Sequence, residues 1–260
     1  MPRVHFVGCG PGDPELITIK ARRLVRDADV LVYSGSLIPG EILSLAGKAR
    51  MHDASGLVRE EITELLLEGA RSGGLVVRLH DGDPAIYGAI REQIDALAGQ
   101  GVESEVVPGV TSFLAAAAAL GTQLTLPGVT QTIILTRAAK RTAVPEGTAR
   151  LASHGATMVF YLSAHLLRDI VRDALEGGYA ETTPAAVVYM ASRKEQRIVR
   201  GTLADIAEKA SGITRTAIVV IGEALDPAGY EHSRLYDASF SHGYRSKRSD
   251  GAPEPRGRKG

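Results

Sequence analysis

Residues 3–18 run Arg3-Val-His-Phe-Val-Gly-Cys-Gly-Pro-Gly-Asp-Pro-Glu-Leu-Ile-Thr18, and this stretch constrains the fold more than any other. Apolar Val4, Phe6 and Val7 read as a buried strand. Gly8, Gly10 and Gly12 then let the chain turn tightly, without a Cβ, into a helix. A strand, a glycine loop and a helix in that order set a small ligand against the backbone at the carboxyl end of a strand.

The nucleotide readings of that loop fit poorly. In the dinucleotide fingerprint G-x-G-x-x-G the third glycine position is Asp13, followed by Pro14. The acid expected on a ribose after the second strand is missing, because Val30-Leu31-Val32-Tyr33 runs into Ser34. No Gly-Lys-Ser/Thr follows the loop, and Pro11 removes an N–H that a phosphate cradle would use. The 30 basic residues balance the 30 acidic ones, so no overall field draws nucleic acid or an anionic membrane. The single cysteine, Cys9, excludes an intramolecular disulfide and suits a reducing cytoplasm. No apolar run reaches the roughly 18 residues of a membrane span. A soluble, cytoplasmic α/β protein is expected.

Strands and helices alternate along the first half. A helix through Lys20–Asp27 precedes the strand Asp29–Tyr33, and Val58–Arg71 repeats Ile62, Leu65, Leu66 and Ala70 at helical spacing. The near-continuous apolar strand Leu75–Leu79 suits a parallel sheet covered on both faces. A helix from about Ile86 to Ala98 then leads to the strand Glu103–Val107. Two further loops follow buried strands, His80-Asp-Gly-Asp-Pro-Ala-Ile-Tyr-Gly88 and Pro108-Gly-Val-Thr-Ser112. Taken singly, Asp83 and Thr111 or Ser112 are ordinary helix caps. Taken with the first loop, they converge along the carboxyl edge of one sheet, where open α/β sheets bind ligands.

VHFVGCGPGDPELIT, RLHDGDPAIYGA and VVPGVTS together resemble the three signature loops of the tetrapyrrole methylases, and the likeness runs from about Val4 to Pro227. VYSGSLIP, TLPGVTQT and LTRAAKRT resemble the branch acting on C11 of precorrin-4. The resemblance implies two α/β domains with mostly parallel open sheets and a cofactor cleft between them, the class III methyltransferase plan. The boundaries implied are 1–113 and 114–235, with 236–260 a flexible, basic tail. It implies S-adenosylmethionine as methyl donor, S-adenosylhomocysteine as product, a tetrapyrrole substrate and a homodimer.

Carried over position by position, the resemblance sets Pro11, Asp81, Gly82, Asp83, Ile86, Thr111, Ser112, Leu162, Met190, Thr216 and Ala217 along the cofactor cleft. Asp81 departs from the neutral residue that close relatives within the family often carry there. Leu162, Met190 and Ala217 sit on apolar strand ends and are equally at home as core. Arg78, Arg137, Arg141 and Arg193 are candidates for the substrate's carboxylates, since guanidinium forks pair with them. His80 and Tyr87 are the candidate catalytic residues, and Cys9 reads as a small filler. No Cys, His and acid cluster has metal-ligand spacing, so no protein-bound metal is expected. The readings from other classes are an NAD-dependent dehydrogenase, which Asp13 disfavours, and a non-catalytic tetrapyrrole carrier.

Overall fold

The computed structural model describes residues 2–139, 144–237 and 239–246. In chain order these form β1 (Arg3–Gly8), α1 (Ile19–Asp27), β2 (Val30–Tyr33), α2 (Gly40–Leu43), β3 (Arg50–Asp53), α3 (Arg59–Arg71), β4 (Val76–His80), α4 (Ile90–Ala98) and β5 (Glu103–Val107). Next come α5 (Ser112–Leu120), β6 (Ile133–Thr136), α6 (Thr148–Ala152), β7 (Thr157–Phe160) and α7 (Leu167–Glu176). The last are β8 (Pro184–Tyr189), β9 (Arg197–Thr202), α8 (Ile206–Lys209) and β10 (Ala217–Ile221). Two five-stranded sheets result, ordered β3-β2-β4-β1-β5 and β6-β7-β10-β8-β9.

The first sheet is parallel throughout. Its central strands are buried on both faces, so β4 is apolar at Val76, Val77 and Leu79, with Arg78 and His80 buried among them. One face packs Val4, Phe6 and Val76 under α3, where Ile62, Leu66 and Ala70 recur at helical spacing. The other packs Val7, Leu31, Val77 and Leu79 against Ala21, Leu24 and Val25 of α1. Thr18 starts α1 by accepting from the Ala21 N–H at 3.1 Å.

The second sheet is built differently. Only β6 and β7 pair in parallel; β7 with β10, β10 with β8 and β8 with β9 are antiparallel. The expectation of mostly parallel sheets therefore holds across both sheets together, five ladders of eight among the described residues, and fails within the second alone. The physical reason is the β8–β9 hairpin, whose short turn can join only antiparallel neighbours. The alanine run of α5 is helix: Ala115, Ala116 and Leu120 pack on Val159, Val188 and Val220 of this sheet. On the opposite face Leu167, Ile170 and Ala174 of α7 cover Met158, Phe160 and Val219.

Other differences are local. The helix expected from Ile86 begins at Ile90, because Tyr87 and Ala89 take φ of 58° and 48°, which an α-helix cannot contain. No helix among the described residues is long and apolar enough to cross a membrane. Of the segment 236–260, residues 239–246 form a turn closed by the His242–Arg245 bridge, with the Arg245 guanidinium donating to Leu235 O at 2.8 Å. Residues 247–260 lie outside the described residues.

Candidate functional site

Glycine lets the three loops meet backbone to backbone. Gly82 N–H donates to Gly10 O at 2.8 Å and Gly10 N–H returns to Gly82 O at 3.3 Å, joining the first loop to the second. Gly10 holds φ of 84°, the left-handed region that glycine enters without penalty. The second and third loops are joined by Asp83, which accepts from Gly109 N–H at 3.0 Å and from Ala85 N–H at 2.8 Å. Asp83 is thus a cross-link between loops and not the cap of α4. The Thr111 hydroxyl likewise is hydrogen-bonded with the Tyr161 phenol, 2.7 Å away, and makes no side-chain cap on α5.

Above these loops stands one edge of the second sheet, contributing the residues after β7 and β8 and before β10. Two adjoining cavities open in between. The first is lined by Pro11, Asp81, Ser112, Leu162, Met190, Thr216 and Ala217, with Arg193 also in its wall. The second adds Gly82, Asp83, Ile86 and Thr111, together with His80, Tyr87 and Tyr161. All eleven residues expected at the cofactor line one cavity or the other. Leu37, Asp81, Ser112, Tyr161 and Leu162 line both, so the two communicate.

Backbone strain concentrates here. Among the described residues six non-glycine residues have positive φ, and four of them are expected site residues: Tyr87, Leu162, Met190 and Thr216. Such conformations cost on the order of 1–3 kcal/mol each and persist where the surroundings impose them, commonly at binding sites. Nothing in the sequence signals them, since none is Gly, Asn or Asp.

The turn between β8 and β9 reaches across to the first sheet's loops. Ser192 Oγ accepts from Asp13 N–H at 3.1 Å, Arg193 donates to Leu37 O, and Lys194 Nζ lies 3.1 Å from Glu41. This hairpin turn, rich in charge, is a clasp beside the cleft. Tyr161 makes a second tie, accepting from Phe113 N–H at 3.2 Å while bonded to Thr111. Tyr161→Phe should leave that N–H unpaired at the start of α5 and lower stability by about 1–2 kcal/mol in urea denaturation. An unchanged midpoint would show that the helix start does not depend on the phenol.

The candidate catalytic and substrate residues part company. Tyr87 stacks obliquely on Tyr161, ring centres 5.4 Å apart, and burial holds its phenol above its ordinary pKa, with the Arg137 charge acting the other way. Arg193 faces the first cavity, and Arg141 lies outside the described residues. Arg78 is 5% exposed, its guanidinium turned inward to Val32 O at 3.3 Å and Ser34 Oγ at 3.2 Å. Burial, with no carboxylate to offset it, pulls its pKa down to about 10. His80 lines the second cavity with Nε2 unpartnered, and burial reinforced by Arg78 pushes its pKa down to about 3. Cys9 is fully buried, which raises its thiol to about 12 and leaves it a filler.

Asp81 is exposed to the solvent of the cleft, with protein on both sides of it. The protein around the carboxyl pushes its pKa up, while its own backbone N–H and Arg193 act the other way.

Comparison with known proteins gives a consistent result. The family model described as Tetrapyrrole (Corrin/Porphyrin) Methylases matches residues 3–207. A cobalt-precorrin-4 C(11)-methyltransferase of Methanocaldococcus jannaschii is 48% identical over 248 residues, covering 94% of this chain and 96% of that one. The X-ray structure of a cobalt precorrin-4 methyltransferase, a cobalamin biosynthetic enzyme, superposes with a TM-score of 0.84 at 42% identity, covering 86% and 96%. A uroporphyrin-III C-methyl transferase from Thermus thermophilus, complexed with S-adenosylhomocysteine, gives 0.74 at 34%, covering 86% and 98%.

Proposed function

The chain belongs to the tetrapyrrole (corrin/porphyrin) methylases, and within that family we propose that it methylates C11 of precorrin-4, or of its cobalt form, in cobalamin biosynthesis. The product is the corresponding precorrin-5. The observation that carries this reading is the common lining, by all eleven motif residues, of two communicating cavities between the glycine loops and the second sheet.

The residues present suit S-adenosylmethionine. Apolar Val188, Met190, Ala217 and Ile218 wall the first cavity, a surface for the adenosine half. Polar Thr111 and Ser112 stand around the second, where the amino-acid half finds partners. Bound there, S-adenosylmethionine supplies a methyl group already activated by its sulfonium. The protein's contribution is then chiefly alignment and exclusion of water. Closing the cleft from the side of the second sheet falls to the clasp of Ser192, Arg193 and Lys194.

Arg137 and Arg193 are proposed to meet the acetate and propionate arms of the macrocycle. Tyr87, 44% exposed on its strained turn, offers a ring face to the substrate. Arg78 is too buried to meet a carboxylate directly; it holds the end of β2 and Ser34 beside the cleft. His80, held neutral, offers a hydrogen-bonding nitrogen and no ready base. Cobalt, where present, is carried by the macrocycle. The domain division at 1–113 and 114–235, a cytoplasmic location and a homodimer belong to the same proposal. The lone buried cysteine supports the second, and exposed apolar Val106, Leu114 and Ile198 support the third.

The test is transfer of labelled methyl from S-adenosylmethionine to precorrin-4 and to its cobalt form, followed by product mass. One of the two should become a single methyl heavier. No transfer to either, with S-adenosylhomocysteine still bound in calorimetry, would favour a carrier and sink the enzyme reading. NADH should give no binding heat.

A further inference from the structure

The two cavities meet at a wall that contains one carboxylate with no ion-pair partner among the described residues. Of the five residues lining both, Leu37, Ser112, Tyr161 and Leu162 are uncharged, and Asp81 is the exception. Asp83, the other acid nearby, spends its oxygens on Gly109 and Ala85. Asp81 has no such employment. Its own backbone N–H is the hydrogen bond it receives. Among the described residues no cation forms an ion pair with it within 4.0 Å. Arg193 influences it from a distance, its own guanidinium being tied to Leu37 O.

S-adenosylmethionine is an adenosine half and a methionine half joined at one sulfur. A molecule of that shape spanning two communicating cavities has its joint near their common wall. The joint carries a full positive charge in the methyl donor and none in S-adenosylhomocysteine. Resting on the methyltransferase reading, we propose that Asp81 determines which form the site prefers. Its carboxylate supplies the negative charge that holds the sulfonium, so the attraction vanishes once the methyl has been transferred and the neutral thioether is left to depart. Between the protein walls of the cleft a charge so placed acts more strongly than in bulk water.

The decisive quantity is a ratio of affinities. Calorimetry would compare the parent protein with Asp81→Asn, using S-adenosylmethionine, S-adenosylhomocysteine and sinefungin, which bears an ammonium where the sulfonium stands. Asp81→Asn should weaken both cationic ligands by about tenfold or more, with S-adenosylhomocysteine changed by less than about threefold. Asp81→Glu should keep most of the cation preference, and Asp81→Ser gives the same reading as Asn if the latter does not fold. Equal weakening of all three ligands would overturn the proposal, placing Asp81 on a group they share, such as the ribose or the amino-acid ammonium. No weakening of any would overturn it as well. Failure of the parent to bind any of the three is a separate outcome and would overturn the methyltransferase reading itself.

Discussion

Gly109→Val should lower the affinity for S-adenosylhomocysteine by at least about a hundredfold, roughly 2.7 kcal/mol. The reason is contact between main chains. A Cβ at Gly109 would stand 2.1 Å from Gly82 O, 2.9 Å from Gly8 C and 3.0 Å from Gly8 Cα, all backbone atoms without a rotamer to yield. Gly8 is caught in the same way, its Cβ 2.5 Å from Gly82 O. The three loops therefore touch at Gly8, Gly82 and Gly109, and a branched side chain must push them apart. That movement pulls Gly109 N–H off Asp83 and displaces Asp81, Gly82, Thr111 and Ser112 together. Overpacking of this kind also costs stability, about 1–3 kcal/mol. Gly212→Ala is the control, since nothing lies within 4 Å of its Cβ. Calorimetry and circular dichroism decide the matter: a folded Gly109→Val protein with parental affinity would return the loops to a purely structural role.

Much of this loop arrangement was legible in the sequence because glycine has a local meaning. A glycine after an apolar strand marks a sharp turn or a close approach, and Gly8, Gly10, Gly82 and Gly109 prove to be one or the other. The first sheet was legible for a similar reason, since strands buried on both faces advertise themselves as apolar runs. The edge strand β3 was not, being Arg-Met-His-Asp, mostly exposed and without periodicity. Nor was the antiparallel character of the second sheet, which depends on how distant strands pair.

Within the site, residue type told which side chains matter more readily than where they point. Arg78 and Arg193 look alike in sequence, yet one is sealed under the first sheet's edge and the other faces the cavity. The difference lies in strand alternation: Arg78 and His80 share a face of β4 with Val76, and that face is covered. The left-handed conformations at Leu162, Met190 and Thr216 had no local signal, because tertiary packing imposes them. Tyr161 was missed for want of any motif, and only its contacts with Thr111 and Phe113 reveal its place.

His80 supplies the second large effect, and its sign follows from burial. The ordinary value of 6.5 falls to about 3 in the folded protein, first through burial and then through the Arg78 guanidinium. Above pH 6.5 the imidazole is neutral whether the chain is folded or not, and it contributes nothing to the pH dependence. As the pH falls from 6.5 toward 3 the unfolded chain takes up a proton that the folded one refuses, so stability is lost throughout that window. The loss approaches about 1.4 kcal/mol per pH unit, or roughly 2 kcal/mol at pH 5. His80→Gln should remove this slope. Urea denaturation at pH 7.5, 6 and 5 on both proteins reads it directly. His5, also lowered by burial, contributes the same slope to each and cancels in the difference. The same result bears on the chemistry. An imidazole that refuses a proton at pH 5 cannot be a serviceable proton acceptor near neutrality, so the methyl-transfer rate should show no titration belonging to His80. Identical slopes in parent and variant would mean that His80 titrates normally when folded, and a proton-accepting role for it would then stand again.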